Sequence, residues 1–439
     1  MHMPGHPAAL FVGSGGWRHG IAYGFLGLPL AFVALPLYVL LPNHYARAFG
    51  APLAALGMVL LLARLFDAVL DPLIGRWCDR LAARSSGALL AVAGGSGLIL
   101  VGGFGALFFP PLSVVTAGTG AILMWAGVSL VFTYTAYSVV AVAHQAWGAR
   151  LGGTETQRSR VVAWREGAAV VGVLLAAVLP SVAGLAPTVG VFALLLAVGW
   201  VCWARSVSPP LGQTALTNAT FSPWGQGPFR RLMAVFLING IASAIPATLV
   251  LFFVQDRLQA SPQLEPLFLL TYFACAAMSI PAWTWSVARF GLARSWRAGM
   301  LLSVGVFVWA ATLGAGDLLP FFVVCALSGF AVGADLTMPS ALLAGIVDDC
   351  GERGKREGAF FGWWNFAAKL NLALAAGLAL PMLAWFGYTP GDRAPEGLVA
   401  LTFAYCVLPC ALKLLAAAAL QFAIITPAGR RSLTNEVSQ

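Results

Sequence analysis

Between positions 88 and 109 the chain reads ALLAVAGGSGLILVGGFGALFF, an uncharged run closed by Pro110 and Pro111. A hydrocarbon core about 30 Å thick needs about 20 apolar residues of helix to cross it. Backbone amides placed there find no water, so the run must satisfy them internally and is helical. Similar runs recur over the 439 residues, at 20–41, 53–78, 118–146, 162–182, 187–204, 231–254, 267–287, 298–313, 318–346, 359–386 and 397–425. Only 9% of the chain is charged, against about 25% in a soluble domain. The pattern predicts an all-α, multi-pass membrane protein with twelve transmembrane helices.

Charge orients this array. The loops after even-numbered helices and the tail carry Arg80, Arg84, Arg150, Arg158, Arg160, Arg205, Arg230, Arg231, Arg289, Arg294, Arg297, Arg353, Lys355, Arg356, Arg430 and Arg431. The opposite loops carry only Arg47, Arg257 and Arg393. By the positive-inside rule both termini are cytoplasmic, and the formal charge of +9 is a topology signal, not a nucleic-acid footprint. The opening MHMPGHPAALFVGSGGWRHG lacks a signal-peptide pattern and reads as a cytoplasmic tail over 1–19. Residues 205–229, rich in Ser, Thr, Gln, Asn and Pro, form a cytoplasmic linker between six-helix bundles at 20–204 and 230–425, with a tail from 426 to 439. The turns GRWCDRLAARS and ARFGLARSWR, six helices apart, are consistent with two parallel repeats.

One helix breaks the apolar rule. RLFDAVLDPLIGRWCDR, Arg64 to Arg80, sets Arg64, Asp67 and Asp71 at spacings of three and four, hence on one helix face. Each charge costs roughly 2.5–3.5 kcal/mol at the bilayer centre on insertion scales. Pro72 frees a carbonyl about one turn back. Two carboxylates a turn apart suit a shared Na⁺ or a trapped proton, with Arg64 as a neutralising neighbour; a purely structural Arg–Asp pair is the alternative. Gly75, Asp79 and Arg80 then form a G-x-x-x-D-R turn at the water boundary, read as a gate.

Polar residues elsewhere single out His144 and Trp147 at the end of the fourth run, with Arg165–Glu166 opening the fifth. Asp335 and Lys369 lie deep in the second half and form a candidate pair, while Lys413 has no acidic neighbour in sequence. Asn365, beside Trp363 and Trp364, precedes Lys369 by one turn, and Arg356 and Glu357 belong to a charged loop able to close against the other half. The seven cysteines show no metal spacing. With no P-loop and no nucleophile elbow, ATP-driven transport by this chain and hydrolase chemistry are disfavoured. No enzyme activity and no cofactor are expected, and no metal beyond a Na⁺ at Asp67 and Asp71.

RLFDAVLDPLIGRWCDR, the arginines of QRSRVVAWREG and the block IVDD…GKREGAFFGWWNFAAK together resemble the glycoside–pentoside–hexuronide:cation symporters, the melibiose-permease-like branch of the major facilitator superfamily. The resemblance implies two six-helix bundles, a coupling Na⁺ or H⁺ at Asp67 and Asp71, Arg64 beside them, and Lys369 near the cation. Tyr38, Trp147 and Arg165 match its sugar-site neighbours. The helix-1 and helix-4 aspartates of that family correspond here to Ala31 and Ala143, which removes acceptors for sugar hydroxyls. A related branch that moves lysolipids shows the signature is not bound to sugars.

The expected function is cation-coupled transport of a small organic solute, a sugar or glycoside among the candidates, by a monomer in the inner membrane. Arg64, Tyr38, His144, Trp147, Arg165, Asn365 and Lys369 would serve substrate and coupling; Gly75, Asp79, Arg80, Arg356 and Glu357 would gate. An H⁺-coupled exporter of apolar compounds is one alternative. A non-transporting membrane assembly protein that keeps the fold is another.

Overall fold

The computed structural model describes residues 6–13, 15–210, 221–261, 263–388, 391 and 394–426. Arg393, Arg430 and Arg431, the middle of the expected linker, the first five residues and most of the expected tail from 426 to 439 lie outside the described residues. The helices are α1 Gly16–Gly24, α2 Gly27–Leu35, α3 Leu41–Phe49, α4 Leu53–Arg84, α5 Ser86–Phe108, α6 Leu112–Thr116, α7 Thr119–Arg150, α8 Glu155–Ala183 and α9 Leu185–Ala204. They continue as α10 Gly227–Phe252, α11 Glu265–Phe290, α12 Leu292–Ala310, α13 Leu318–Asp349, α14 Glu357–Trp385, α15 Pro395–Thr402 and α16 Leu408–Leu420. The described residues contain no strand. Nine helical segments among them are long and apolar enough to cross a membrane; α4, α12 and α14 are further long helices outside that set.

Several helices outrun the hydropathy boundaries because polar caps extend them. Thr154 accepts the Gln157 amide while the Gln157 side chain accepts the Thr154 amide. This capping box starts α8 seven residues before the apolar run at 162. Ser85 caps α5 by accepting the Ala88 amide at 2.9 Å, so α4 reaches Arg84 before the chain turns. Prolines 72, 180, 246, 281 and 339 sit inside helices, as membrane helices tolerate. Pro36–Leu40, Phe253–Arg257 and Phe403–Val407 form π-helical turns of the kind often found at functional positions.

The chain divides into two compact units. Unit 1 comprises Met1–Phe221 with Val347–Phe366, and so takes in α1–α9 and the first turns of α14. Its α2 packs on α8, and α4 and α5 pack on α7. The close approach of α1 and α2 to α8 depends on glycine: a Cβ on Gly24 would lie 2.6 Å from the Trp164 backbone, and one on Gly172 would lie 2.1 Å from the Leu28 carbonyl oxygen. Phe32, Phe104 and Phe192 fill the centre, with Phe32 stacked on Phe192 at 6.1 Å and Phe104 edge-on to it at 5.0 Å.

Unit 2 comprises Ser222–Ile346 with Ala367–Gln439. Here α10 and α12 pack on α16. Phe253 stacks on Tyr405 at 4.3 Å, and Phe268 meets Phe321 edge-on at 5.0 Å.

Candidate functional site

Helix α4 has two unlike faces. Leu65, Phe66, Val69 and Leu73 are exposed, an apolar surface suited to lipid. Asp67 and Asp71 point the other way and are 5% and 0% exposed. Ser138 of α7 donates its hydroxyl to Oδ1 of Asp67 at 2.7 Å. Arg64 is half-buried one turn earlier. Pro72 has no N–H to offer the Ala68 carbonyl. Carboxylate, hydroxyl and carbonyl oxygens are the donors hard cations require, and a carboxylate can instead hold a proton. Among the described residues no three His, Cys, Asp or Glu side chains converge as a metal cluster.

Next along α4, the glycines of two helices meet. A Cβ on Gly75 would lie 2.0 Å from the Gly358 carbonyl oxygen, one on Gly358 would lie 2.3 Å from that of Gly75, and one on Gly362 would lie 2.4 Å from that of Asp71. The bare backbones let the start of α14 lie directly on α4. Asp79 then accepts the Gly358 amide on Oδ1 and the Ala359 amide on Oδ2, each at 2.7 Å. Helix N-termini leave such amides unpaired and favour negative charge.

Arg150, the last residue of α7, joins the two carboxylates. Its Nη2 donates to Asp79 at 2.8 Å and its Nε to Glu357 at 3.0 Å. Glu357 also accepts the Gly354 amide. All three side chains are buried, so each charge needs the others to offset its desolvation. Arg80, by contrast, is exposed. Arg356 pairs with Glu352 at 3.6 Å and lies over the Phe221 ring at 4.0 Å. Asp348 receives Arg158 at 3.6 Å and Arg353 at 3.8 Å. In the sequence Arg150 is one basic loop residue among many. The signal available was a pair of helix-end carboxylates needing a cation, and several arginines had equal claim.

The remaining expected residues divide into two groups. Asn365 donates to the Gln145 side chain at 3.0 Å, so the polar face of α7 at this level is Gln145, the neighbour of the expected His144. His144 is fully buried: a ring nitrogen meets the Tyr23 carbonyl at 2.8 Å, and the Tyr23 hydroxyl donates to the His144 carbonyl at 3.0 Å. Trp147 is buried, donates to the Val207 carbonyl at 3.1 Å and packs edge-on against Trp203. Both side chains fasten α7, His144 to α1 and Trp147 to the end of α9, and their faces meet packed aromatic neighbours. Arg165 is buried and binds its neighbour Glu166 through Nε at 3.0 Å and Nη2 at 2.6 Å. Lys369, half-buried, follows Asn365 by one turn on α14. Tyr38 sits in the π-helical turn 36–40, and its side chain lies outside the described ones.

Unit 2 holds a second buried polar group. Asp335 of α13 accepts Asn239 at 3.0 Å, Ser243 at 3.3 Å, Trp296 at 2.7 Å and the Lys413 ammonium at 2.8 Å. Lys413 also donates to the Asn239 side-chain oxygen at 3.0 Å. The salt-bridge partner of Asp335 is thus Lys413 of α16, which corrects the expected pairing with Lys369. Seventy-eight residues separate the two in sequence, and only the packing of α13 and α16 beside α10 joins them.

Residues 20–427 match the family described as MFS/sugar transport protein. The inner membrane symporter YicJ of Escherichia coli (strain K12) is 24% identical over 407 residues, covering 85% of this chain and 84% of that protein. The sodium-dependent lysophosphatidylcholine symporter 1-A of Danio rerio is 25% identical over 202 residues, covering 45% of this chain and 38% of the fish protein. The match to such lysolipid symporters therefore spans well under half of their length. Among solved structures, a bacterial homologue of the iron transporter ferroportin in an outward-facing state superposes with a TM-score of 0.66 at 16% identity, covering 92% of this chain and 98% of that one. The human organic anion transporter MFSD10 gives 0.63 at 18% identity, covering 92% and 99%. Likeness at that identity establishes the fold. The chain belongs to the MFS/sugar transport protein family and is a multi-pass membrane transporter of the major facilitator superfamily, not an enzyme.

Proposed function

We propose that this transporter is a symporter that uses a Na⁺ or H⁺ gradient to move a small organic solute across the inner membrane by alternating access. The observation that carries the reading is the buried pair Asp67 and Asp71 on the inner face of a helix whose outer face is apolar. Ser138 orients Asp67, and a bound Na⁺ or proton offsets the charge. The symporter relatives support cation coupling. Arg64, Asn365 with Gln145, Lys369, Arg165 and Tyr38 are assigned to the solute path. Cation and solute then raise each other's affinity by one common factor.

In this reading α4, α12 and α14 join the nine apolar segments as twelve spans, with 20–204 and 230–425 as six-helix halves, 205–229 as a cytoplasmic linker and both termini cytoplasmic. The chain works as a monomer and binds no nucleic acid. The interlock of Asp79, Arg150 and Glu357 on the Gly75–Gly358 contact is the cytoplasmic gate, with Arg356 and Arg80 at its rim. With Ala31 and Ala143 in place of carboxylates, the solute is one that needs few hydroxyl acceptors. A thermal-shift panel of sugars, organic anions and lysolipids, with and without Na⁺ and at two pH values, identifies it. Asp67→Asn and Asp71→Asn are then made separately. Each should abolish gradient-driven uptake and the cation-dependent stabilisation while leaving the melting transition of the cation-free protein intact. Uptake at the parental rate in both variants would sink the assignment.

A further inference from the structure

Unit 2 encloses a cavity of about 320 Å³ between α10, α11, α12, α13 and α16. Every residue on its wall belongs to that unit, so it is separate from the carboxylate pair of α4. Its size falls in the range of small-molecule pockets. A cavity near 150 Å³ with apolar walls accepts benzene, so this one has room for about two fused rings. Phe268, Phe273, Phe307, Val324 and Val332 supply apolar wall.

One end is polar, and its hydrogen-bonding capacity is lopsided. Asp335 lines the cavity but already accepts four donors: Asn239, Ser243, Trp296 and Lys413. Lys413 also lines it and donates to two acceptors, Asn239 and Asp335. An ammonium has three N–H donors, which leaves one without an acceptor among the described residues. Tyr272 and Tyr405 also line the cavity. The spare capacity is therefore for donation to a ligand, since the carboxylate has been saturated by protein groups. A cationic head would have to compete with Lys413 for Asp335. An anionic head would take the remaining ammonium N–H at no such loss. Leu251, on the cavity wall, is 42% exposed, so the cavity reaches the surface of the unit along α10.

We propose that this cavity is a binding site for an aromatic or similarly compact apolar carboxylate, its rings between α10, α11 and α13 and its carboxylate on Lys413. The site does not depend on the coupling cation, so its failure and that of the symport reading are separable.

The test uses purified full-length protein and three probes with one ring system: 2-naphthoate, 2-naphthol and 2-naphthylmethylammonium. Calorimetric titration is corrected for empty micelles and repeated without Na⁺ and in the Asp67→Asn background. The expected result is saturable 2-naphthoate binding at least tenfold tighter than that of the ammonium compound, unchanged by Na⁺ removal or Asp67→Asn. Val332→Phe adds a ring to the cavity wall and should weaken binding of 2-naphthoate and 2-naphthol alike. The double variant Asp335→Asn with Lys413→Met leaves no charge stranded. It should remove the carboxylate preference while retaining 2-naphthol within about twofold. No saturable binding, equal affinity for the three head groups, or parental binding in Val332→Phe overturns the proposal.

Discussion

Arg150→Met is the most direct probe of the proposed gate. The substitution keeps the length of an apolar stem but deletes two charge-assisted bonds, at 2.8 Å to Asp79 and 3.0 Å to Glu357. Two buried carboxylates are then left together without their cation. Breaking a buried ion pair by removing one partner costs about 3–5 kcal/mol. The lower end applies, because Asp79 keeps the Gly358 and Ala359 amides and Glu357 keeps that of Gly354. In the open form the carboxylates regain water, so the loss falls on the closed form. About 3 kcal/mol corresponds to roughly a hundredfold shift toward opening, at 1.4 kcal/mol per factor of ten. Hydrogen exchange of the full-length protein reads this directly at peptide 354–362, whose amides at Gly358 and Ala359 are held by Asp79. Their exchange should accelerate by about two orders of magnitude, while a peptide from 318–335 exchanges as before. Arg150→Lys, whose point charge cannot fork to both acceptors, should fall between. Parental protection of 354–362 in Arg150→Met would refute the reasoning.

Two further outcomes follow from close contacts. Gly358→Ala should hold the start of α14 away from α4, because its Cβ would meet the Gly75 carbonyl at 2.3 Å, whereas Gly95→Ala, with nothing within 4 Å, should exchange and transport like the parent; equal behaviour of the two variants would contradict the docking role. Asp335→Ala strands the Lys413 ammonium and should cost about 3–5 kcal/mol of stability, seen as a lower thermal unfolding midpoint, and an unchanged midpoint would show that the pair is hydrated.

Much of the carboxylate site was legible in the chain because it is local. Spacings of three and four place Arg64, Asp67 and Asp71 on one face whatever surrounds the helix, and the apolar residues between them dictate which face meets lipid. The nature of the chain, helical and membrane-spanning, followed from runs of about twenty apolar residues, which leave the backbone no other way to hydrogen-bond. Helix ends were less legible. Capping by Thr154 and Ser85 extends helices into polar sequence that hydropathy assigns to loops.

Only the tertiary structure decided the partners. Arg150 reaches Asp79 across 71 positions and Glu357 across 207, Lys413 reaches Asp335, and Gln145 rather than His144 meets Asn365. His144 and Trp147 turn into packed aromatic surroundings instead. Helical periodicity determines which side chains share a face. Which faces come together depends on glycine contacts and ring packing between helices far apart in sequence, and those terms exist only once the helices have assembled.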